Sequence, residues 1–144
     1  MEIRFEGCGT PDMIQHLTQA AKLFGKELLS PKLGRFITVD IIIRSNMREH
    51  GLCTPVDFNT SNRPRGFEIE LRKKKSIKSM ISTLAHEMVH VKQYALEEMN
   101  EYDNMWRGKR INIRKLDYYN LPWEEEAYGR EKDLLNLYKK NFLL

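Results

Sequence analysis

The first periodic segment of the chain is helical and begins at Pro11. Its apolar residues recur at spacings of three and four, which places them along one side of a helix. They are Met13, Leu17, Ala20, Ala21, Phe24 and Leu28. Ser30-Pro31 and Gly34 end the pattern, since proline and glycine interrupt helices. The sequence therefore predicts an N-terminal helix that begins at Pro11 and ends before Ser30.

Three short segments then show patterns typical of β-strands. Residues 35–44 are rich in β-branched side chains, and residues 52–58 form a second segment that Pro55 weakens. After a turn-forming stretch at 59–66, apolar and acidic residues alternate, as in a half-exposed strand. This third segment consists of Phe67, Glu68, Ile69, Glu70 and Leu71. We interpret the three segments as a small antiparallel sheet.

Two further helices complete the predicted architecture. One extends from about Ser76 to Met99, and another begins at Pro122 and ends near Phe142. The segment between them is irregular and charged, with a short hairpin predicted around Gly108. The order is helix, antiparallel strands, helix, helix, which indicates an α+β fold. At 144 residues, the whole chain (1–144) is expected to form one domain.

Composition excludes several classes of protein. With 41% hydrophobic and 31% charged residues, the chain can form a core and is not disordered throughout. No apolar run is long enough to span a membrane, and the charged N-terminus does not have the pattern of a signal peptide. We therefore expect a cytoplasmic protein with no membrane partner. The net charge of +4 allows a nucleic-acid partner without requiring one.

An HExxH motif lies within the long predicted helix: His86-Glu87-Met88-Val89-His90. Residues four apart share one helix face, so His86 and His90 can bind one metal ion, and Glu87 can act on a water molecule as general base. The apolar stripe of this helix lies on the opposite side. That stripe contains Ile77, Met80, Ile81, Leu84, Met88, Val91 and Ala95. The simpler alternative is a pair of solvent-exposed histidines on an amphipathic helix.

The third ligand is expected to be a carboxylate, because no histidine follows His90 and a catalytic zinc site usually has three protein ligands. In the last helix, Glu124 and Glu131 lie on the packing stripe, Glu125 at its flank and Glu126 opposite. A buried carboxylate is costly unless it is paired or bound to metal. We predict Glu124 as the third ligand and Glu131 as a hydrogen-bond acceptor for a ligand histidine. Glu126 and Glu131 remain alternatives, and acidic residues also suit a helix N-terminus.

The HExxH run followed by Pro122-Trp123-Glu124-Glu125-Glu126-Ala127 resembles the gluzincin zinc metallopeptidases. It is similar to small metallopeptidases of phages and bacteria, some described as SprT-like. In gluzincins the third ligand is a glutamate on a later helix, commonly in an ExxA context, which Glu124 to Ala127 matches. The zinc-ribbon cysteines and the third histidine of true SprT proteins are absent, and Tyr128 stands where an aspartate often follows.

This resemblance implies a zincin-like fold, a Zn²⁺ cofactor and a peptide or protein substrate. In the implied mechanism, zinc activates a water molecule, and Glu87 takes its proton and later delivers it to the leaving amine. A further donor usually stabilises the oxyanion. The candidates are Tyr118, Tyr119 and Tyr128, with a packing role as the alternative for each.

The family also binds extended peptides along a sheet edge strand above the HExxH helix. The segment Phe67 to Leu71 is the candidate, because it directly precedes that helix. The alternative is an ordinary edge strand.

Two basic clusters suggest a second function of another class. They comprise Arg72, Lys73, Lys74, Lys75 and Lys78, and Arg107, Lys109, Arg110, Arg114 and Lys115. The alternative to an enzyme is a catalytically silent, zinc-stabilised protein that binds nucleic acid through residues 72–78 and 107–115. Few aromatic residues are interleaved with these charges, so nucleic-acid binding is not favoured over ordinary solvated surfaces.

Overall fold

The computed structural model describes residues 1–100 and 103–142, which form a mixed α+β fold. The elements, in chain order, are β1 (Glu2–Gly7), α1 (Pro11–Leu28), α2 (Pro31–Gly34), β2 (Thr38–Arg44), β3 (Gly51–Phe58), β4 (Pro64–Arg72), α3 (Ile77–Ala95), β5 (Met99–Asn100), β6 (Met105–Trp106), β7 (Lys109–Arg110) and α4 (Pro122–Phe142). Two short 3₁₀ turns, Ile113–Lys115 and Tyr118–Asn120, precede α4. Three helices, α1, α3 and α4, and the hairpin β6–β7 lie where the sequence predicts them, although α3 ends earlier than expected, shortly before Glu97 adopts a positive φ of 57°. The short helix α2 was not predicted from the sequence.

The main sheet is mixed, so the expectation of an antiparallel sheet is wrong. Its strand order is β1-β2-β4-β3, in which β1–β2 and β2–β4 are parallel and only β3–β4 is antiparallel. The difference begins at β1, a strand before the first helix that the sequence analysis did not predict. Because β1 and β2 are parallel neighbours, the chain must cross over between them, and α1 provides that crossover.

β4 lies inside the sheet, which corrects the edge-strand expectation for Phe67 to Leu71. Phe67 pairs with Val39 of β2 on one side and with Pro55 of β3 on the other. The alternation in this segment is confirmed, since Phe67, Ile69 and Leu71 are buried. The chain folds back as β3 on the outer side of β4, so β3 is the sheet edge nearest α3.

α3 is buried from two sides, and this positions the motif. Its predicted apolar stripe packs with α1 and the sheet in the hydrophobic core, and α4 packs against the side that carries the histidines. The Oγ of Ser76 caps the helix by accepting a hydrogen bond from the N–H of Ser79 at 3.1 Å. Across the described residues, no helix is long and apolar enough to cross a membrane.

Candidate metal centre

Three side chains from α3 and α4 converge at one point. Glu124 Oε1 lies 2.9 Å from His86 Nε2 and 3.2 Å from His90 Nε2, and the two Nε2 atoms are 3.2 Å apart. All three residues are buried. The structure therefore brings together the three residues that the sequence predicts as ligands, because α4 covers the histidine side of α3.

This arrangement fits a metal ion. Zinc ligands at about 2.0–2.1 Å in a tetrahedron lie about 3.3 Å from one another, close to the three separations seen in the cluster. Three lone-pair-bearing atoms that meet in a buried site also need a cation between them, either protons or a metal ion. The buried group His86, His90 and Glu124 could thus hold a metal ion.

In the metal-free site, protons take the place of that cation. Burial alone would lower the pKa of His86, but the hydrogen bond to Glu124 and the nearby carboxylate of Glu131 raise it to about 9. Burial would raise the pKa of Glu124, yet hydrogen bonds from His86 and His90 lower it to about 2. The raised pKa of His86 and the lowered pKa of Glu124 show that the cluster attracts a cation, so a metal ion that binds there would displace protons from the imidazoles.

The far side of each imidazole also has a neighbour. The Nδ1–H of His90 donates to Gln93 Oε1 at 2.7 Å, and Gln93 Nε2 donates to the Trp123 carbonyl at 2.9 Å. His86 Nδ1 is buried without a hydrogen bond, and the nearest carboxylate oxygen is Glu131 Oε2 at 3.5 Å. Glu131 thus lies where the sequence predicts it, beside a ligand histidine. The role of Gln93 was missed, although its spacing of three from His90 could have indicated it.

The other glutamates at the start of α4 are not at the metal centre. Glu126 contacts Lys92 Nζ at 2.8 Å, and Glu125 is exposed. Glu131 faces Nδ1 of His86 and not the Nε2 atoms. Among the alternatives, only Glu124 faces both histidine Nε2 atoms.

Glu87 and His86 form part of a cleft of about 640 Å³. Gly51 and Leu52 of β3 form one wall of this cleft, and Tyr118 and Tyr128 line it as well. Burial raises the pKa of Glu87, and the neighbouring histidines only partly oppose this shift. The β3 backbone approaches Glu87 so closely that a Cβ on Gly51 would lie 3.1 Å from Glu87 Oε2. The cleft gives a small molecule or peptide access to Glu87 beside the metal centre.

The three tyrosines differ in position. Tyr118 and Tyr128 line the cleft, and the Tyr128 ring lies 4.3 Å from the His86 ring between centroids. Burial, together with the charge of Glu124, raises the pKa of the Tyr118 hydroxyl. Tyr119 is 67% exposed and contacts the rings of both Tyr118 and Tyr128, but it does not line the cleft itself. Of the three candidate tyrosines, Tyr118 and Tyr128 thus line the cleft, and Tyr119 lies behind them.

The two basic clusters differ in their relation to the cleft, because only one of them contributes a residue to its lining. Arg107 is paired with Glu98 and Glu126 at 2.9 and 3.1 Å, so its charge is already neutralised. The other basic residues of 107–115 are exposed. In the first cluster, Lys73, Lys75 and Lys78 are exposed, whereas Lys74 lines the cleft.

No protein-family model, curated protein or solved structure matches the chain. The function must therefore be inferred from the site itself, in which a buried His86–His90–Glu124 cluster lies beside Glu87 at an open cleft.

Proposed function

We propose that the protein is a zinc-dependent metallopeptidase with a zincin-like, gluzincin-type site. The observation that carries this proposal is the convergence of His86, His90 and Glu124 from two helices, next to Glu87 in the cleft. Two imidazoles and one glutamate form the ligand set of several catalytic zinc sites. A structural zinc site would instead have four protein ligands and no opening.

The chain's own residues can supply the proton transfers of peptide hydrolysis. A bound Zn²⁺ would supply Lewis acidity, which acidifies a coordinated water and polarises a carbonyl. Glu87 accepts a proton from the attacking water, whose oxygen forms a bond to the carbonyl carbon. The C–N bond then breaks, and Glu87 returns the proton to the leaving nitrogen, which gives a carboxylic acid and an amine. Transfer of the second water proton from the acid to the amine leaves a carboxylate and an ammonium ion. The raised pKa of Glu87 suits a group that must both take and give a proton.

The hydroxyls of Tyr118 and Tyr128 are candidate donors to the carbonyl oxygen as it becomes negative. Both line the cleft beside His86. A positioned hydroxyl stabilises an oxyanion only if it remains protonated, and the raised pKa values of both tyrosines favour that form.

The open edge of β3 offers a place for an extended peptide. The Arg72 N–H donates to the His50 carbonyl at 2.9 Å, which sets the alternation of hydrogen bonds between β4 and β3. By that alternation the N–H and C=O of Gly51 face away from β4, toward the open edge and the cleft. A substrate strand paired there would pass Glu87. β3 thus takes the role that the sequence analysis gave to the segment Phe67 to Leu71.

The test compares zinc-loaded wild type with Glu87→Gln on a mixed peptide library, read by mass spectrometry. We expect Glu87→Gln to retain zinc and to lose hydrolysis by about a hundredfold or more, because proton transfer is removed. Glu125→Gln, an exposed neighbour of the ligand Glu124, is the control and should cleave normally. Equal cleavage by Glu87→Gln and wild type would contradict the proposal. Zinc binding without any cleavage by wild type would favour the zinc-stabilised binding protein instead.

A further inference from the structure

Lys74 differs from the other lysines of its basic run. It lines the same cleft as His86 and Glu87, whereas Lys73 and Lys75 are exposed and are not among the described residues that line it. The run after β4 is therefore not a uniform basic surface. One of its ammonium groups belongs to the candidate active site.

Among the described residues, the Lys74 ammonium has only a neutral hydrogen-bond partner. Its Nζ donates to Ser79 Oγ at 3.3 Å, and within residues 1–100 and 103–142 no carboxylate forms an ion pair with it. Burial and the positive charge of Arg72 lower the pKa of Lys74, and the charge of Glu131 only partly opposes this shift. A partly buried cation with a neutral partner is a favourable site for an anion.

Arg72 adds a second positive charge near Lys74, and His50 lies between the Arg72 guanidinium and the cleft. Arg72 Nη2 lies 2.8 Å from His50 Nδ1. Because a guanidinium can only donate, Nδ1 accepts and the neutral His50 ring carries its proton on Nε2. Lys74, burial and Arg72 all lower the pKa of His50, which favours that neutral form. Glu49 also lines this corner and is exposed.

The distance from Lys74 to the metal centre suits a peptide. Lys74 contacts Ser79, which lies seven residues before His86 on α3, or about 10 Å along the helix axis. An extended chain advances about 3.4 Å per residue, so this separation corresponds to about three residues. Gly51 is the N-terminal end of β3, and Lys74 lies beyond that end. A peptide that pairs antiparallel to β3 has its C-terminal side at this end, so that side would reach Lys74.

We propose that Lys74, with Arg72 and His50 beside it, binds a carboxylate of the peptide substrate about three residues to the C-terminal side of the cleaved bond. This inference rests on the proposed peptidase function and adds the substrate class: peptides with an acidic side chain at that position, or peptides that end there with a free C-terminus. Both sources present the same carboxylate chemistry to the ammonium.

The test uses matched short peptides that differ only in a free or amidated C-terminus and in Glu or Gln near it. Cleavage is measured with zinc-loaded wild type, and binding by fluorescence anisotropy with zinc-loaded Glu87→Gln, so that binding is read without turnover. Lys74→Ala and Lys74→Glu are made in both backgrounds. Lys73→Glu, the same charge change on an exposed neighbour, is the control.

We expect at least one carboxylate peptide to bind about tenfold more tightly than its amide counterpart. Lys74→Ala should remove this preference, Lys74→Glu should reverse it, and Lys73→Glu should leave it unchanged. The free-acid pair and the Glu/Gln pair show which carboxylate is recognised.

Three results would overturn this proposal in distinguishable ways. Cleavage without any carboxylate preference would refute the Lys74 subsite and leave the peptidase proposal standing. Absence of both binding and cleavage for every peptide would refute both proposals. Binding of a DNA oligonucleotide that Lys73→Glu and Lys74→Glu weaken equally, with no carboxylate preference, would indicate an electrostatic nucleic-acid surface instead.

Discussion

At the scale of single residues, the His90 ring is fixed by contacts on two sides. Its Nε2 faces Glu124 at 3.2 Å, and its Nδ1–H donates to Gln93 at 2.7 Å. Gln93 is itself fully buried and held by the Trp123 carbonyl. This chain of hydrogen bonds selects the tautomer that leaves Nε2 available to a metal ion.

Replacing Gln93 should therefore weaken metal binding. We expect Gln93→Leu to reduce zinc affinity by about 10- to 100-fold, because the His90 ring loses the acceptor that orients it. Competition titration against a chromophoric chelator measures this change, with circular dichroism to show that the variant is folded. Gln15→Leu, on the exposed side of α1, is the control. Unchanged zinc affinity in Gln93→Leu would show that Gln93 does not orient His90 for metal binding.

The sequence could predict the candidate ligands because helix periodicity constrains their positions, although it placed Glu131 on the same stripe as Glu124. A spacing of four residues places His86 and His90 on one face of their helix. The direction in which each side chain points from the last helix separates Glu124 from Glu125 and Glu126. It could not predict the contacts of Gln93 with Trp123 and Glu126 or those of Lys92, because each depends on which residues of α4 and of the segment after α3 lie opposite. Such contacts are set by helix packing and are not visible in a local pattern.

At the scale of elements, the approach of β3 to α3 requires a small residue. A Cβ at Gly51 would lie 2.7 Å from Thr83 Cγ2 and 3.1 Å from Glu87 Oε2. At such separations the neighbouring side chains must shift. The position of the Glu87 carboxylate therefore depends on the residue at 51.

Gly51→Ala should displace Glu87 without removing the metal. We expect hydrolysis to fall by about tenfold or more, because small errors in the position of a reacting group are costly, while zinc content stays constant. Gly34→Ala is the matched control, since nothing lies within 4 Å of the Cβ position at Gly34. Cleavage at the wild-type rate by Gly51→Ala would contradict the dependence of the Glu87 position on residue 51.

A partly buried ionic network joins α3, the hairpin segment and α4. Lys92 Nζ lies 2.8 Å from both Glu98 and Glu126, and Arg107 contacts the same two carboxylates. Burial would raise the pKa of Glu126, but hydrogen bonds from Lys92 and Gln93 lower it below its ordinary value of 4.5. The ionised form of Glu126 is thus the form that stabilises the fold.

This lowered pKa fixes the pH dependence of the stabilisation. The contribution of Glu126 is fully present above pH 4.5, the value in the unfolded chain, and is lost as pH falls through the lower folded value. At pH 7 we expect Glu126→Gln to lower the free energy of unfolding by about 2 kcal/mol. Urea denaturation should show this difference shrinking below pH 4.5, while Glu125→Gln stays close to wild type. A difference that persists unchanged in acid would contradict this explanation.

At the scale of the whole molecule, the order of the strands was the part that the sequence could not predict. The alternation of Ile3 and Phe5 with charged residues was a local signal for β1. No local signal shows, however, that β1 and β4 lie on either side of β2, since that arrangement depends on how α1 and α3 pack in the common core. The strand order matters for the proposed function, because it makes β3, and not β4, the sheet edge beside Glu87.

The most direct test of the central claim is the zinc content of the purified, zinc-loaded protein after desalting. Wild type and Glu125→Ala should each contain close to one zinc ion per chain. His86→Ala and Glu124→Ala should lose the zinc, because each removes a ligand from the cluster formed by α3 and α4. Full zinc content in Glu124→Ala, or none in loaded wild type, would contradict the three-ligand centre on which the account depends.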